Sequence, residues 1–262
     1  MSLLSPERLL VSLSPERMSA VRLAGRWRPR RLDEHSVSLP GTGAPPWTPG
    51  LEALELLLDE PAWGGRELSV ILASHFVHYA LLPGGKQLAA VEQADLGRLI
   101  FRNIFGELAR DWVLRISPAG KMPTLASGVP KSLLSDLQAA CEGRAVLNSI
   151  QPGLMTVFNR VRVQIDQHSG LLALVEAGRI TLARIETGQW QSIVSRAWEA
   201  DALPALLAEI QSLSGSAGQP GGRLWLCDLT GKAVVPSDPG WQLERLVSGA
   251  AGAASLAAWG SL

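Results

Sequence analysis

The chain has 262 residues, enough for one large domain or for two lobes of roughly 100–150 residues, each with its own core. It is 47% hydrophobic and 18% charged, with 24 basic against 24 acidic residues, so it reads as globular and lacks the field that draws a protein to nucleic acid or an anionic membrane. Near-zero net charge is permissive for self-association, and its two cysteines, Cys141 and Cys227, lie in apolar patterns that fit buried free thiols of a reducing compartment.

The first element is a hairpin. Leu9–Ser14 runs out, Pro15-Glu16-Arg17 turns, and Met18–Leu23 returns. Glu7, Arg8, Glu16 and Arg17 interrupt the apolar residues, so this end does not read as a signal peptide. A basic stretch follows with Arg26, Arg28, Arg30 and Arg31 around Trp27, then a short alternating strand at His35–Leu39. Pro40–Gly50 is a Gly/Pro loop whose Trp47 either anchors it to the body or is presented to a partner. Leu51–Asp59 has the apolar spacing of a helix. Glu67–Ala73 and Phe76–Pro83 read as strands around Ser74-His75, and Val91–Trp112 as one long amphipathic helix. Val113–Ser117 and Thr124–Val129 are expected strands, Lys131–Cys141 a helix and Val146–Ile150 a strand.

Gln151-Pro152-Gly153 has the composition of an inter-lobe hinge, and Leu154–Ile165 of a helix. A second hairpin then repeats the logic of the first: Leu171–Val175, a turn at Glu176-Ala177-Gly178, and Arg179–Ile185. After Gly188-Gln189-Trp190 comes an element carrying Ile193, Val194 and Trp198, then a helix at Leu203–Leu213. Ser214–Gly222 reads as a loop, Arg223–Leu229 as an almost wholly apolar strand inside a sheet. Residues 248–262, rich in Ala, Gly and Ser, read as a flexible tail, too short and mild to span a bilayer. The expected organisation is a first lobe over 1–150, a second over 151–247 and the tail. Mixed strands and helices with a hairpin opening each half make this an α/β protein of two related lobes, as a duplicated nucleotide-clasping fold begins each lobe.

Several chemistries have little support. His75 and His78 on a strand face opposite sides and do not share a metal, so no metal site is expected. No nucleophile elbow, phosphate-binding Gly-Lys-Ser/Thr loop or Cys-x-x-Cys pair occurs. Nine Trp stand against one Tyr and four Phe, and Trp in polar or Gly/Pro-rich segments suits interface anchors; Trp27 and Trp47 are the residues singled out for a partner.

The segments Leu13–Leu23, Ser74–Pro83 and Leu174–Arg179, followed by Gly188-Gln189-Trp190, resemble bacterial actin-like proteins of pilus assembly: the PilM family of type IV pili and the cytoplasmic domain of the type II secretion L component. The resemblance spans about residues 8–230 in element order. It implies an actin-like (ribonuclease H-like) fold, reduced relative to a full four-subdomain actin, with no long segment between Gly188 and Leu203. It further implies a bacterial cytoplasmic adaptor or scaffold, peripheral to the inner membrane through a partner whose cytoplasmic tail it binds.

In that family the two hairpin turns clasp phosphate, which makes Ser12, Ser14, Glu176 and Gly178 the candidate cofactor-binding residues. The turns depart from the pattern. Pro15 removes an amide donor, the first turn has no Gly, Glu176 stands where an Asp is usual, and Leu229-Thr230-Gly231 replaces paired glycines after the last apolar strand. The expectation is therefore a degenerate pocket with at most weak ATP and magnesium binding, no catalytic residues and no required cofactor. The alternatives are an active actin-like Mg-ATPase using Ser12, Ser14 and Glu176, and a self-assembling filament or homo-oligomer.

Overall fold

A computed structural model describes residues 7–25, 29–83, 89–117, 123–199, 202–213, 222–233, 241–246 and Leu256. The first sheet holds β1 (Arg8–Leu13), β2 (Arg17–Ala24), β3 (Arg30–Ser38), β4 (Glu67–Leu72) and β8 (Val146–Pro152) in the order β3-β2-β1-β4-β8. The second holds β9 (Gly170–Glu176), β10 (Arg179–Glu186), β11 (Gln189–Ala197), β12 (Arg223–Asp228) and β13 (Gln242–Arg245) in the order β11-β10-β9-β12-β13. The two orders are one pattern used twice. In each sheet the first strand is central, antiparallel to its hairpin mate and parallel to the strand on its other side. The duplication read from the two hairpins is thus carried through every strand of both sheets.

The helices are α1 (Thr48–Asp59), α2 (Ala90–Phe105), α3 (Lys131–Cys141), α4 (Gly153–Ile165) and α5 (Ala202–Leu213). Leu51, Leu54, Leu57 and Leu58 of α1 and Leu133, Leu137, Ala140 and Cys141 of α3 recur at helical spacing and bury one stripe of each helix over the first sheet. Helix α4 turns Leu154, Val157, Phe158, Val161 and Ile165 inward, where they meet Leu72 from the first lobe and Leu172, Leu174 and Ile185 from the second. One core therefore runs unbroken through both lobes. Leu203 and Leu207 of α5 cover the far face of the second sheet with Leu171, Ala173, Leu182 and Leu224.

Between β4 and β8 the first lobe carries an insert. Strands β5 (His78–Leu82), β7 (Thr124–Pro130) and β6 (Trp112–Ile116) form a three-stranded antiparallel sheet in the order β5-β7-β6. Helix α2 packs on it through Phe101, which shares a small separate core with Ala80, Leu82 and Ala126. β5 also lies beside β11, so the insert touches both lobes.

Some sequence expectations change. The helix expected over Val91–Trp112 stops at Phe105, where Gly106 caps it; a 3-10 turn follows over Gly106–Asp111, and Trp112 opens β6. Trp112 sits at helical spacing because it stacks on His78 (ring centroids 4.1 Å apart) and meets Phe101 and Phe105, contacts that a strand serves equally well. The strand expected at His35–Leu39 is longer and takes in Arg30 and Arg31. Gln151-Pro152-Gly153, expected as an inter-lobe hinge, lies in regular structure: Pro152 ends β8 and Gly153 begins α4. Of residues 248–262 only Leu256 is described, and it is 3% exposed, packed in the core shared by the lobes. A Cβ on Gly153 would stand 2.7 Å from the Leu256 Cδ1, so Leu256 packs directly over the strand-to-helix junction.

Candidate functional site

The register of each sheet brings four loops to one place. In the first lobe Leu13 pairs with Leu72 and the Ala73 N–H bonds the Leu13 carbonyl; in the second Val175 pairs with Asp228 and the Leu229 N–H bonds the Val175 carbonyl. The two hairpin turns and the two loops after β4 and β12 are therefore pseudo-equivalent and face each other across a cleft of about 570 Å³. Ser12, Ser14, Glu16, Arg17, Ala73, Glu176, Thr230, Lys232 and Leu256 are among its lining. Three of the four candidate residues, Ser12, Ser14 and Glu176, thus meet in one cleft although 162 positions separate Ser14 from Glu176. Gly178, the fourth, has φ +70° in the turn beside it, and its carbonyl accepts the Trp198 N–H at 3.1 Å.

The polar groups of these loops are largely occupied by one another. Ser14 Oγ accepts the Arg17 N–H at 3.1 Å and donates to the Arg17 carbonyl at 3.0 Å, closing its own turn. Glu176, 4% exposed, reaches from the second lobe to the first and accepts the Ser74 N–H on Oε2 at 3.0 Å and on Oε1 at 3.3 Å. Asp228, 6% exposed, accepts the N–H groups of Thr230, Gly231 and Ala233 and the Thr230 hydroxyl, all between 2.7 and 3.0 Å. Asp228 escaped the sequence reading because it ends an apolar strand; the Asp-x-Thr-Gly run that follows was its signal.

Burial pushes the Glu176 carboxyl up to about 7, against the pull of the Ser74 donors and of Arg179. Burial, and after it the Arg179 guanidinium, holds both His75 and His78 down to about 4. Burial and the Glu176 charge raise the Tyr79 phenol. No group of three or more His, Cys, Asp or Glu that would hold a metal occurs among the described residues. Cys141 and Cys227 are buried free thiols with raised pKa values.

A second concavity of about 570 Å³ lies between the insert and the first sheet. Val113, Arg115, Ile116 and Ser117 line it from β6 and just beyond, and Leu147, Asn148, Ser149 and Ile150 from β8, with Leu134 and Met155 contributing from α3 and α4. β6 and β8 are each the last strand of their sheets, so two strand edges without a strand partner among the described residues flank one groove. Arg115 is exposed there and makes no ion pair with a described residue.

Trp47, expected to anchor its loop or meet a partner, is tied to the body: its Nε1–H donates to Asp136 of α3 at 2.9 Å and its ring lies edge-on to Phe76. Trp27 lies outside the described residues.

No protein-family model matches the chain, and no curated protein matches it in sequence. Solved structures do match in shape. The cytoplasmic domain of EpsL, an inner membrane component of the type II secretion system of Vibrio cholerae, superposes with a TM-score of 0.56 at 15% identity, covering 91% of this chain and 89% of that one. A PilM–PilN type IV pilus biogenesis complex gives 0.62 at 14% identity over 84% and 81%. A Bacteroides thetaiotaomicron protein described as having an actin-like ATPase fold and unknown function gives 0.57 at 14% over 85% and 82%. The chain has an actin-like fold, of the kind found in PilM and EpsL.

Proposed function

We propose that this actin-like body is an adaptor that holds an extended segment of an inner-membrane partner in the groove between β6 and β8, and that its interlobe cleft has lost the means to hold a nucleotide tightly. The observation that carries the reading is the pair of strand edges, without a strand partner among the described residues, that flank one largely apolar groove. An extended segment entering it gains main-chain hydrogen bonds from either edge, while Val113, Leu147, Ile150 and Met155 offer pockets for alternate side chains. A lining in which Arg115 is the one charged residue favours a segment with an acidic group at one end of an otherwise apolar stretch. Two of the structural neighbours come from machinery of this kind: one is a complex of PilM with PilN, the other belongs to an inner membrane component.

The cleft supports the second half of the reading. A phosphate needs unpaired donors, and there the Ser14 hydroxyl, the Ser74 amide and the amides after Asp228 already have acceptors from the chain itself. Arg17 and Lys232 remain as cations without an ion pair among the described residues. The proposed location is cytoplasmic and peripheral to the inner membrane; no helix of the described residues is long and apolar enough to cross a membrane.

Peptides spanning the cytoplasmic tail of a candidate inner-membrane partner test this by calorimetry. Leu147→Asp and Arg115→Glu are expected to weaken binding by about ten-fold or more, the scale of one lost anchor or charge pair. Lys232→Glu, in the cleft, should leave it unchanged. Binding that survives both groove substitutions and fails with Lys232→Glu would refute the reading.

A further inference from the structure

Glu176 is misplaced for a residue that orients a metal-bound water. Its carboxylate is buried and spans the lobe junction to the amide of Ser74, which lies in the connection between β4 and β5. That connection is the covalent root of the insert. Next to it stand two buried hydroxyls, Ser74 Oγ, which with the Ser74 amide favours the Glu176 charge, and Tyr79 Oη on β5. The latch thus joins Glu176 of the second lobe to Ser74 at the root of the insert.

We propose that Glu176 is a positioning residue: by holding the Ser74 amide it fixes the insert against the second lobe, and through the insert it sets the spacing of β6 from β8. The path is short and continuous. Ser74 leads into β5, β5 pairs with β7, and β7 pairs with β6, which walls the groove. β5 also rests beside β11 of the second lobe, so release of Ser74 frees the insert at its root while leaving a second contact as pivot. The effect on the groove rests on the peptide-groove reading above; the latch itself does not.

Protonation is the natural control. Arg179 on β10, Tyr79 on β5 and Cys227 on β12 interact with Glu176 electrostatically; His75 follows its partner Ser74, Asp228 pairs with the preceding Val175, and Glu16, Arg17 and Lys232 line the same cleft. Neutral Glu176 is at home in this burial and still accepts the Ser74 N–H through its carbonyl oxygen. Ionised, it keeps a charge buried at a cost that the Ser74 donors and Arg179 offset only in part, which favours opening of the junction.

Nitroxide labels at Leu99→Cys on α2 and Gln191→Cys on β11, both exposed sites, read the insert-to-lobe distance without a partner, since both native cysteines are buried. The expected result is one narrow distance distribution at pH 6 that broadens or shifts at pH 8.5. Glu176→Gln, which keeps an acceptor but cannot ionise, should stay narrow at both values. Glu176→Ala should be broad at both. Identical distributions for the parent protein at the two pH values, or a Glu176→Gln protein that still broadens, would overturn the proposal, and neither depends on whether Glu176→Ala folds. Intact pH-dependent motion with no peptide bound in the groove would leave the latch standing and remove the adaptor reading.

Discussion

The loops after β4 and β12 occupy equivalent places in two copies of one sheet, yet they solve the same problem in opposite ways. Each must satisfy backbone N–H groups turned into the junction between lobes. The second lobe is self-sufficient: Asp228 ends its strand and its carboxylate serves three amides and a hydroxyl of its own loop. The first lobe has Leu72 at that position, buried in the core, so its Ser74 amide must look outside and finds Glu176 of the other lobe. A carboxylate at one of two equivalent positions and a leucine at the other thus go with a local turn in one lobe and a contact between lobes in the other.

Removing the self-sufficient carboxylate gives the largest expected effect. Asp228→Ala leaves three amides and a hydroxyl at a 6% exposed position without their acceptor, and should cost about 3 kcal/mol in chemical denaturation, the scale of a buried charged acceptor lost. A cost below about 1 kcal/mol would mean that the loop finds other acceptors easily, and the contrast between the lobes would collapse.

The dependence on pH is smaller and belongs to the first lobe's side of the junction. Glu176 keeps its proton in the fold up to about 7 but only to 4.5 as an ordinary glutamate, so between those values the folded state holds the extra proton and stability falls as pH rises. His75 and His78 stay neutral in the fold down to about 4 but charge below 6.5 when unfolded, so they make stability rise with pH over that window. Two groups against one give a net rise from 4.5 to 6.5, then a shallow fall to about 7. In Glu176→Gln the fall vanishes and the rise steepens. Urea midpoints at half-unit pH intervals decide it, and a variant whose profile overlays the parent's would count against Glu176 as the titrating group.

The finest comparison sets the two hydroxyls side by side. Thr230→Val removes a donor to Asp228 and the acceptor of the Lys232 N–H, and should cost about 1 kcal/mol. Ser74→Ala removes a buried hydroxyl beside the Glu176 carboxylate but leaves the Ser74 amide to hold it, and should cost no more than about 0.5 kcal/mol. Equal losses at the two positions would show that the loops are not used differently.

How far the sequence reached follows from the range of the interactions. The hairpins, α1, α3 and α4 were legible because each is written in a local period: apolar runs broken by a polar turn, or leucines three and four apart. Bringing Ser12, Ser14 and Glu176 to one cleft was legible through the duplication, since equivalent turns must face each other. The Glu176–Ser74 contact was not, because it joins residues 102 positions apart and leaves no periodic trace. The end of α2 was missed for a related reason: Trp112 continues the helical spacing by accident of stacking on His78 across the insert sheet. The groove between β6 and β8 is invisible to any local pattern, since being an edge is a property of the assembled sheet.

The seat of Leu256 has a consequence for the order of events at the ribosome. This one side chain packs against Gly153 in the core shared by the lobes. Both hairpins, both sheets and the helix joining them emerge before it does. Synthesis from the N-terminus therefore delivers this contact after both hairpins and the helix joining them, among the last the fold can close.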